Sequence, residues 1–176
     1  IQFHIQPFSA DKPGDGMHPF SAFTASVLQL RPESTGHLAL KSSSPDDHIV
    51  IHPNYLATKT DCDTIVAGIK VARAVSAAEP VASMITEEFS PGPGVAENDD
   101  EAILDWARNT STTIYHPTGT CKMGRDPMAV VDERLRVHGI DGLRVADTSI
   151  MPVITSGNTN APAIMIGEKA SDMILE

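Results

Sequence analysis

The segment from Tyr115 to Gly124 combines a histidine with residues that fix a turn. His116 is followed directly by Pro117, and Gly119 comes shortly after it. Because proline restricts its own backbone and that of the residue before it, the imidazole is expected to lie on a stiff support. Histidine titrates near pH ~6.5 in model peptides, which suits a general acid or base at neutral pH. These residues predict acid–base chemistry at His116.

A second segment, residues 142–162, is predicted to form a strand, a polar bend and the start of a helix. Leu143 to Ala146 carries the strand formers, and the bend runs through Thr155 to Asn160. We expect Asn160 to cap the helix and Pro162 to lie in its first turn, where a missing N–H costs nothing. Backbone N–H groups at a helix start favour negative charge, so this end is a candidate anion site.

Residues 1–56 have the pattern of strands separated by turns. Apolar residues alternate at Phe3 and Ile5, and Phe23 to Leu30 is rich in strand formers. The breaks at residues 13–16 and 31–36 separate the strands. We therefore predict an antiparallel sheet, one face of which forms a wall of a ligand cavity.

Helices are predicted further along the chain. Thr60 to Asp63 fits a capping pattern before a helix that Pro80 ends, and a second helix is expected from near Asn98. The last helix should bury one stripe of its surface. Its expected buried residues are Ile166, Ala170, Met173 and Ile174. Short strands are predicted at residues 130–132, 135–138 and 143–146.

Composition excludes several classes of partner. With 13 Lys and Arg against 23 Asp and Glu, the net charge of −10 repels nucleic acid and anionic lipid. No apolar run approaches the roughly 20 residues of a membrane-spanning helix. Cys62 and Cys121 lie far apart, which does not resemble a disulfide framework. We expect a cytoplasmic protein that neither enters a membrane nor binds nucleic acid.

Neither a metal site nor a complete dinucleotide site is expected. His48 and His52 have the spacing of metal ligands on a helix, but Ile49 to Ile51 predicts a strand, whose ends cannot easily share one ion. The chain has no strand-linked G-x-G-x-x-G. A structural role is expected for the other histidines, which are His4, His18, His37, His48, His52 and His138.

The segments 115–124 and 142–162 resemble the C-terminal signatures of the glucose-methanol-choline (GMC) oxidoreductases. A choline-dehydrogenase-like character is clearest in residues 119–124, 149–152 and 164–172. The resemblance implies an α+β fold, in which an antiparallel sheet with flanking helices forms a substrate-binding domain over residues 1–128. Residues 129–176 would then return, as a strand and helix, to an FAD-binding domain. Because Ile1 already lies in a strand pattern and the chain has no strand-linked G-x-G-x-x-G, we expect an upstream domain that holds most of the FAD.

The same resemblance implies roles for particular residues. His116 maps onto the base that takes the hydroxyl proton of a small alcohol while hydride passes to the flavin. Asn158 maps onto a residue, His in some members and Asn in others, that holds the substrate oxygen. The positions that map onto flavin contacts are Ala146, Asp147, Asn160, Ala161 and Pro162.

Two other interpretations remain open at this point. A parent protein could use the same flavin scaffold for a non-oxidative, lyase-like reaction, because a fold does not fix its chemistry. Alternatively, the chain could be an inactive module that binds a ligand or partner through its sheet. The sequence does not identify the alcohol, the electron acceptor or the oligomeric state.

Overall fold

The computed structural model describes residues 1–12 and 14–176, so Pro13, part of the predicted turn at 13–16, lies outside the described residues. The described chain divides into two compact units. The first unit comprises Ile1–Thr35 and Asn54–Ser111, and the second comprises Gly36–Pro53 and Thr112–Glu176. The strands of the described chain are β1 (Gln2–Gln6), β2 (Thr24–Leu28), β3 (His37–Ala39) and β4 (Val50–His52). Its α-helices are α1 (Lys59–Ser76), α2 (Asp100–Thr110) and α3 (Asn160–Leu175).

The predicted antiparallel pairing is confirmed, but the strands form two sheets rather than one. β1 pairs with β2 in the first unit, and β3 pairs with β4 in the second. The chain between β2 and β3 does not continue the ladder, because the backbone N–H groups of Glu33 and Ser34 donate to the carboxylate of Asp61 instead. The predicted break at residues 31–36 is therefore held by a side chain of α1.

The start of α1 differs from the prediction. The capping residue is Thr58, whose hydroxyl accepts from the backbone N–H of Asp61 at 3.2 Å, whereas Thr60 lies within the helix. The capping prediction at Thr60 was therefore wrong by two positions. Thr58 takes this role because its backbone is extended and its N–H is already bound by the Ser34 hydroxyl. The helix ends at Ser76, before Pro80.

The first unit has its core where α1 packs on α2 and β2. Asp99 caps α2 by accepting from the N–H of Ala102 at 2.9 Å, so the helix begins at Asp100, close to the start predicted near Asn98. Lys70 of α1 forms an ion pair with Asp100 of α2. The buried residues of this core are Val66, Ile69, Ile103 and Ala107, and Val27 packs against them.

The second unit contains isolated bridges in place of the predicted strands at 130–132, 135–138 and 143–146. Bridges join Val131 to Val137 and Arg136 to Arg144. Regular strands do not form because the backbone turns sharply at Leu135, which has a φ of 65°. Asp132 holds this turn by accepting from the N–H groups of Arg134 and Arg136. The predicted regular strands were therefore wrong.

Helix α3 covers the core of the second unit. Ile166 and Ala170 are buried, as predicted, but Ile174 is 61% exposed. The capping residue is Thr159, so the predicted cap at Asn160 was wrong, although Pro162 does lie in the first turn. Buried partners of α3 in this core are Val131, Leu135, Ile150 and Met151.

The two compact units do not coincide with the predicted boundary between residues 128 and 129. The second unit takes in β3 and β4 from the N-terminal half and everything from Thr112 onward. The predicted boundary refers to the domains of a longer protein, so it stays a prediction. In the described residues no helix combines the length and apolar character needed to cross a membrane.

Candidate active site

Backbone hydrogen bonds join the His116 segment to the start of the second segment. The N–H of Cys121 donates to the carbonyl of Ser149 at 3.0 Å, and the N–H of Met123 donates to the carbonyl of Ile150 at 2.7 Å. The Thr148 hydroxyl donates to the carbonyl of Pro117 at 3.3 Å. These bonds fix the histidine segment against the chain that leads into α3.

Residues on either side of the histidine adopt backbone conformations that define the turn. Gly119 has a φ of 86°, a left-handed conformation that glycine adopts at little cost. Tyr115, directly before His116, has a φ of 64° and is 68% exposed. A bulky residue with positive φ is uncommon and strained, and such strain is concentrated at functional sites.

The side chains of His116 and Asn158 meet although 42 positions separate them in the sequence. Asn158 Nδ2 lies 3.1 Å from His116 Nε2. His116 is half-buried and Asn158 is exposed, so solvent reaches the side of the pair that carries the amide. The two residues that the sequence predicted as a catalytic pair are therefore in contact.

Thr159 contacts the other nitrogen of the same ring. Its Oγ1 lies 2.8 Å from His116 Nδ1, and the residue is only 7% exposed. An amide nitrogen only donates, so the bond from Asn158 requires a lone pair on Nε2 and places the ring proton on Nδ1. Thr159 then accepts that proton's hydrogen bond, and Nε2 keeps the basic lone pair.

Sequence reasoning did not single out Thr159. A threonine directly before a helix indicates a helix cap, and its position beside Asn158 was the only other signal. In the structure the Thr159 side chain makes no capping hydrogen bond to α3. Coordinates were needed to show that the hydroxyl is directed to the imidazole.

The residues predicted to contact a flavin lie at two places. Asn160 and Ala161 are exposed and Pro162 is half-buried at the start of α3, next in the chain to the His116 partners. Ala146 and Asp147 are exposed before the Thr148–Ile150 turn of 3₁₀ helix. Asp147 caps that turn by accepting from the N–H of Ser149 at 2.7 Å, which gives it a structural contact of its own.

The chemistry of the start of α3 suits the negatively charged group expected there from the sequence, such as a reduced flavin ring. The side chain of the N-cap residue, Thr159, makes no capping hydrogen bond, and the first residues of the helix present small or polar side chains to solvent. The helix dipole and the N–H groups of the first turn favour negative charge there. A role in holding the cofactor stays a prediction for all five positions.

The remaining histidines and cysteines do not form a second site of this kind. His37 and His52 face each other across β3 and β4 with ring centroids 5.1 Å apart. Both cysteines are free, Cys62 being buried. Over residues 1–12 and 14–176, no group of three or more His, Cys, Asp or Glu side chains is placed to hold a metal ion.

Comparison with known proteins identifies the family. The C-terminal family model described as GMC oxidoreductase matches residues 32–167, which include His116 and Asn158. The chain belongs to the GMC oxidoreductases. As a GMC oxidoreductase chain it is 44% identical, over 99% of its length, to an alcohol dehydrogenase [acceptor] of Pseudomonas putida. It is 43% identical, again over 99% of its length, to the mitochondrial choline dehydrogenase of Mus musculus.

Comparison with solved structures finds the same fold. The formate oxidase of Aspergillus oryzae RIB40, from a study of FAD modification, superposes on 93% of this chain with a TM-score of 0.81 and 30% identity. The match covers 28% of the oxidase chain. The present chain likewise spans 31% of the Pseudomonas dehydrogenase and 29% of the mouse enzyme. It thus corresponds to under a third of these GMC proteins.

Proposed function

We propose that this chain is the C-terminal part of an FAD-dependent alcohol oxidoreductase in which His116 is the general base. The observation that carries the proposal is the contact between His116 Nε2 and Asn158 Nδ2 inside the region that matches the GMC family. The names of the alcohol and choline dehydrogenases to which it is similar support a small alcohol as the substrate class. An upstream portion of the same protein would complete the enzyme.

The contacts imply a neutral His116 ring in a tautomer that can act as a base. With the proton on Nδ1 and a lone pair on Nε2, a neutral His116 can take the proton of a substrate hydroxyl. The imidazolium so formed keeps its hydrogen bond to Thr159. In this oxidation the alcohol loses its hydroxyl proton to Nε2 and its carbinol hydride to the cofactor, and the carbonyl product remains.

Asn158 supplies a hydrogen-bond donor beside that base. Its amide carries no charge and does not titrate, so it can stabilise a developing alkoxide without competing for the proton. In the structure the amide donates to His116 Nε2. We propose that the substrate oxygen binds between the two groups and receives a hydrogen bond from the amide.

FAD, when bound, supplies the hydride acceptor. We propose that the exposed start of α3, formed by Asn160, Ala161 and Pro162, contacts the flavin ring, together with Ala146 and Asp147. The N–H groups of the helix start would stabilise negative charge on the reduced ring. These residues supply only part of the cofactor's contacts, and the upstream portion supplies the rest.

The proposal is tested by replacing the base in the full-length protein. We expect His116→Gln to lower kcat/KM for alcohol oxidation by about 10²- to 10⁴-fold, the usual contribution of a general base. His138→Gln is the matched control, because His138 is exposed and its Nε2 contacts only the carbonyl of Gly124 among the contacts described. Alcohol oxidation that is unchanged in His116→Gln would refute the assigned base.

A further inference from the structure

The residue directly before α3 has the type and position of a helix cap but acts on another group. Thr159 is the N-cap of α3, yet its side chain makes no hydrogen bond to the helix. Its hydroxyl lies 2.8 Å from His116 Nδ1. Serine and threonine at this position usually satisfy a free N–H of the first turn, so the helix forgoes a stabilising contact here.

The burial of Thr159 makes this contact difficult to replace. The residue is 7% exposed, so water has little access to take the place of its hydroxyl. A ring nitrogen whose proton lost this acceptor would become an unsatisfied donor. The donor at Asn158 excludes a proton from Nε2, and the Thr159 hydroxyl is the acceptor that satisfies the ring proton on Nδ1.

We propose that Thr159 is a positioning residue that holds His116 in the tautomer with the proton on Nδ1 and the lone pair on Nε2. The ring is bound at both nitrogens by consecutive residues, Asn158 at Nε2 and Thr159 at Nδ1. Rotation of the imidazole would break both bonds, and a change of tautomer would break the one from Asn158. The catalytic consequence rests on the proposed function, whereas the tautomer does not.

The opposite tautomer would remove the base from the pair. With the proton on Nε2, that nitrogen would present a donor toward the Asn158 amide, which is itself a donor. The lone pair would then lie on Nδ1, away from Asn158, where it would accept a hydrogen bond from the buried Thr159 hydroxyl. Loss of the Thr159 acceptor therefore transfers population from the tautomer that can accept a substrate proton to one that cannot.

The experiment replaces only the hydroxyl. In full-length protein labelled with ¹⁵N-histidine, the ring nitrogen resonances of His116 are assigned by their loss in His116→Gln. We expect wild type to show a neutral ring protonated at Nδ1, and Thr159→Val, which keeps the side-chain shape, to show the Nε2-protonated form in a substantial fraction. Thr159→Ser restores the hydroxyl and should restore the wild-type tautomer.

Activity provides a second readout. We expect Thr159→Val to lower the plateau of kcat/KM by about 3- to 10-fold, the effect of one lost hydrogen bond. The acid limb of the pH profile should move to lower pH, because the imidazolium also loses its acceptor at Nδ1. Thr159→Ser should retain both the plateau and the limb of wild type.

Thr148→Val serves as the matched control. It also removes a threonine hydroxyl bound to the histidine segment, but that hydroxyl bonds to the Pro117 carbonyl and not to the ring. We expect no change of tautomer and no shift of the acid limb in this variant. An unchanged His116 tautomer in Thr159→Val, or equal changes in Thr159→Ser and Thr159→Val, would overturn the proposal. If His116→Gln keeps full activity while Thr159→Val alters the tautomer, the proposed function fails and the role of Thr159 stands.

Discussion

The imidazole of His116 is held by two neighbouring residues of a distant segment, and this arrangement defines the site at the level of single side chains. A base must be positioned as well as titratable, because proton transfer requires hydrogen-bond reach. The ring has one bond at each nitrogen, to Asn158 and to Thr159. Because Asn158 is exposed and Thr159 is buried, Nε2 is the ring nitrogen on the exposed side of His116.

At position 158 we predict that the charge of the side chain affects activity more than the size of the side chain does. We expect Asn158→Asp to lower kcat by about 10²-fold or more, because a carboxylate cannot donate to a developing alkoxide and repels it. The carboxylate would also favour the imidazolium, so the acid limb of kcat/KM should move to higher pH. Steady-state kinetics across pH would measure both effects.

Asn158→His is the matched comparison, since histidine can donate to the same oxygen and the family resemblance places it there in some members. It should retain more activity than Asn158→Asp at every pH above the acid limb. If the two variants lose activity equally, donation from residue 158 to the substrate oxygen is not what the site requires.

Two of the three side chains that meet at the candidate site, His116 and Asn158, were predicted from the sequence, and the third was not. His116 lies in a stiff segment of unusual composition, and Asn158 follows from the family resemblance. Their contact is tertiary, and no local pattern encodes a distance across 42 positions. Thr159 was missed because its type and place indicate a helix cap, an interaction that the structure gives up for a tertiary one.

At the level of elements, α1 approaches β2 so closely that only glycine fits between them. A Cβ at Gly68 would lie 2.3 Å from Cγ1 of Val27, which itself packs against the core of the first unit. Glycine is unfavourable inside a helix, so its presence there is explained by this contact.

Alanine replacements at two helical glycines should therefore have opposite effects. Gly68→Ala should reduce the free energy of unfolding by about 1–3 kcal/mol through overpacking. Gly167→Ala in α3 is the control, because no atom lies within 4 Å of its added Cβ, and it should stabilise by about 0.5–1 kcal/mol. Urea denaturation of both variants measures the difference, and stabilisation by Gly68→Ala would contradict the described packing.

Most elements could be predicted from local patterns, and the errors have tertiary causes. Alternation gave β1, and helical spacing gave α1, α2 and α3. The strands expected at 130–146 failed because Asp132 binds two backbone N–H groups and turns the chain at Leu135. Arg136 and these N–H groups lower the pKa of Asp132 to about 2, so the turn keeps its charged acceptor in mild acid.

At the level of the whole molecule, acid stability is expected to depend on Asp61. Burial alone would raise the pKa of this carboxyl, but hydrogen bonds from Ser34, Glu33 and Gln29 outweigh burial and lower it. A lowered pKa in the folded state means that the carboxylate stabilises the protein above its unfolded pKa. That contribution is lost as pH falls through the folded value.

Asp61→Asn should accordingly weaken the fold most at neutral pH. We expect a loss of about 1–3 kcal/mol there, since the amide cannot accept from all of the donors that surround Asp61. The difference from wild type should shrink as pH falls below about 4, where the Asp61 carboxyl of the unfolded chain becomes protonated before that of the folded protein. Thermal unfolding across pH measures this; a difference that stays constant down to strongly acid pH would contradict the role of the charge.

The molecule as a whole combines a chain that matches the C-terminal GMC family model with a candidate site in which the proposed base, His116, contacts an exposed amide. The chain corresponds to under a third of its dehydrogenase relatives, so its chemistry must be tested in the full-length protein. Anaerobic rapid mixing with a panel of small primary and secondary alcohols, followed by loss of oxidised flavin absorbance, isolates the hydride step from reoxidation. We predict rapid reduction in wild type and reduction at least about 100-fold slower in His116→Gln with the same flavin content. Equal rates in the two proteins, or flavin that stays oxidised with every alcohol, would contradict the account.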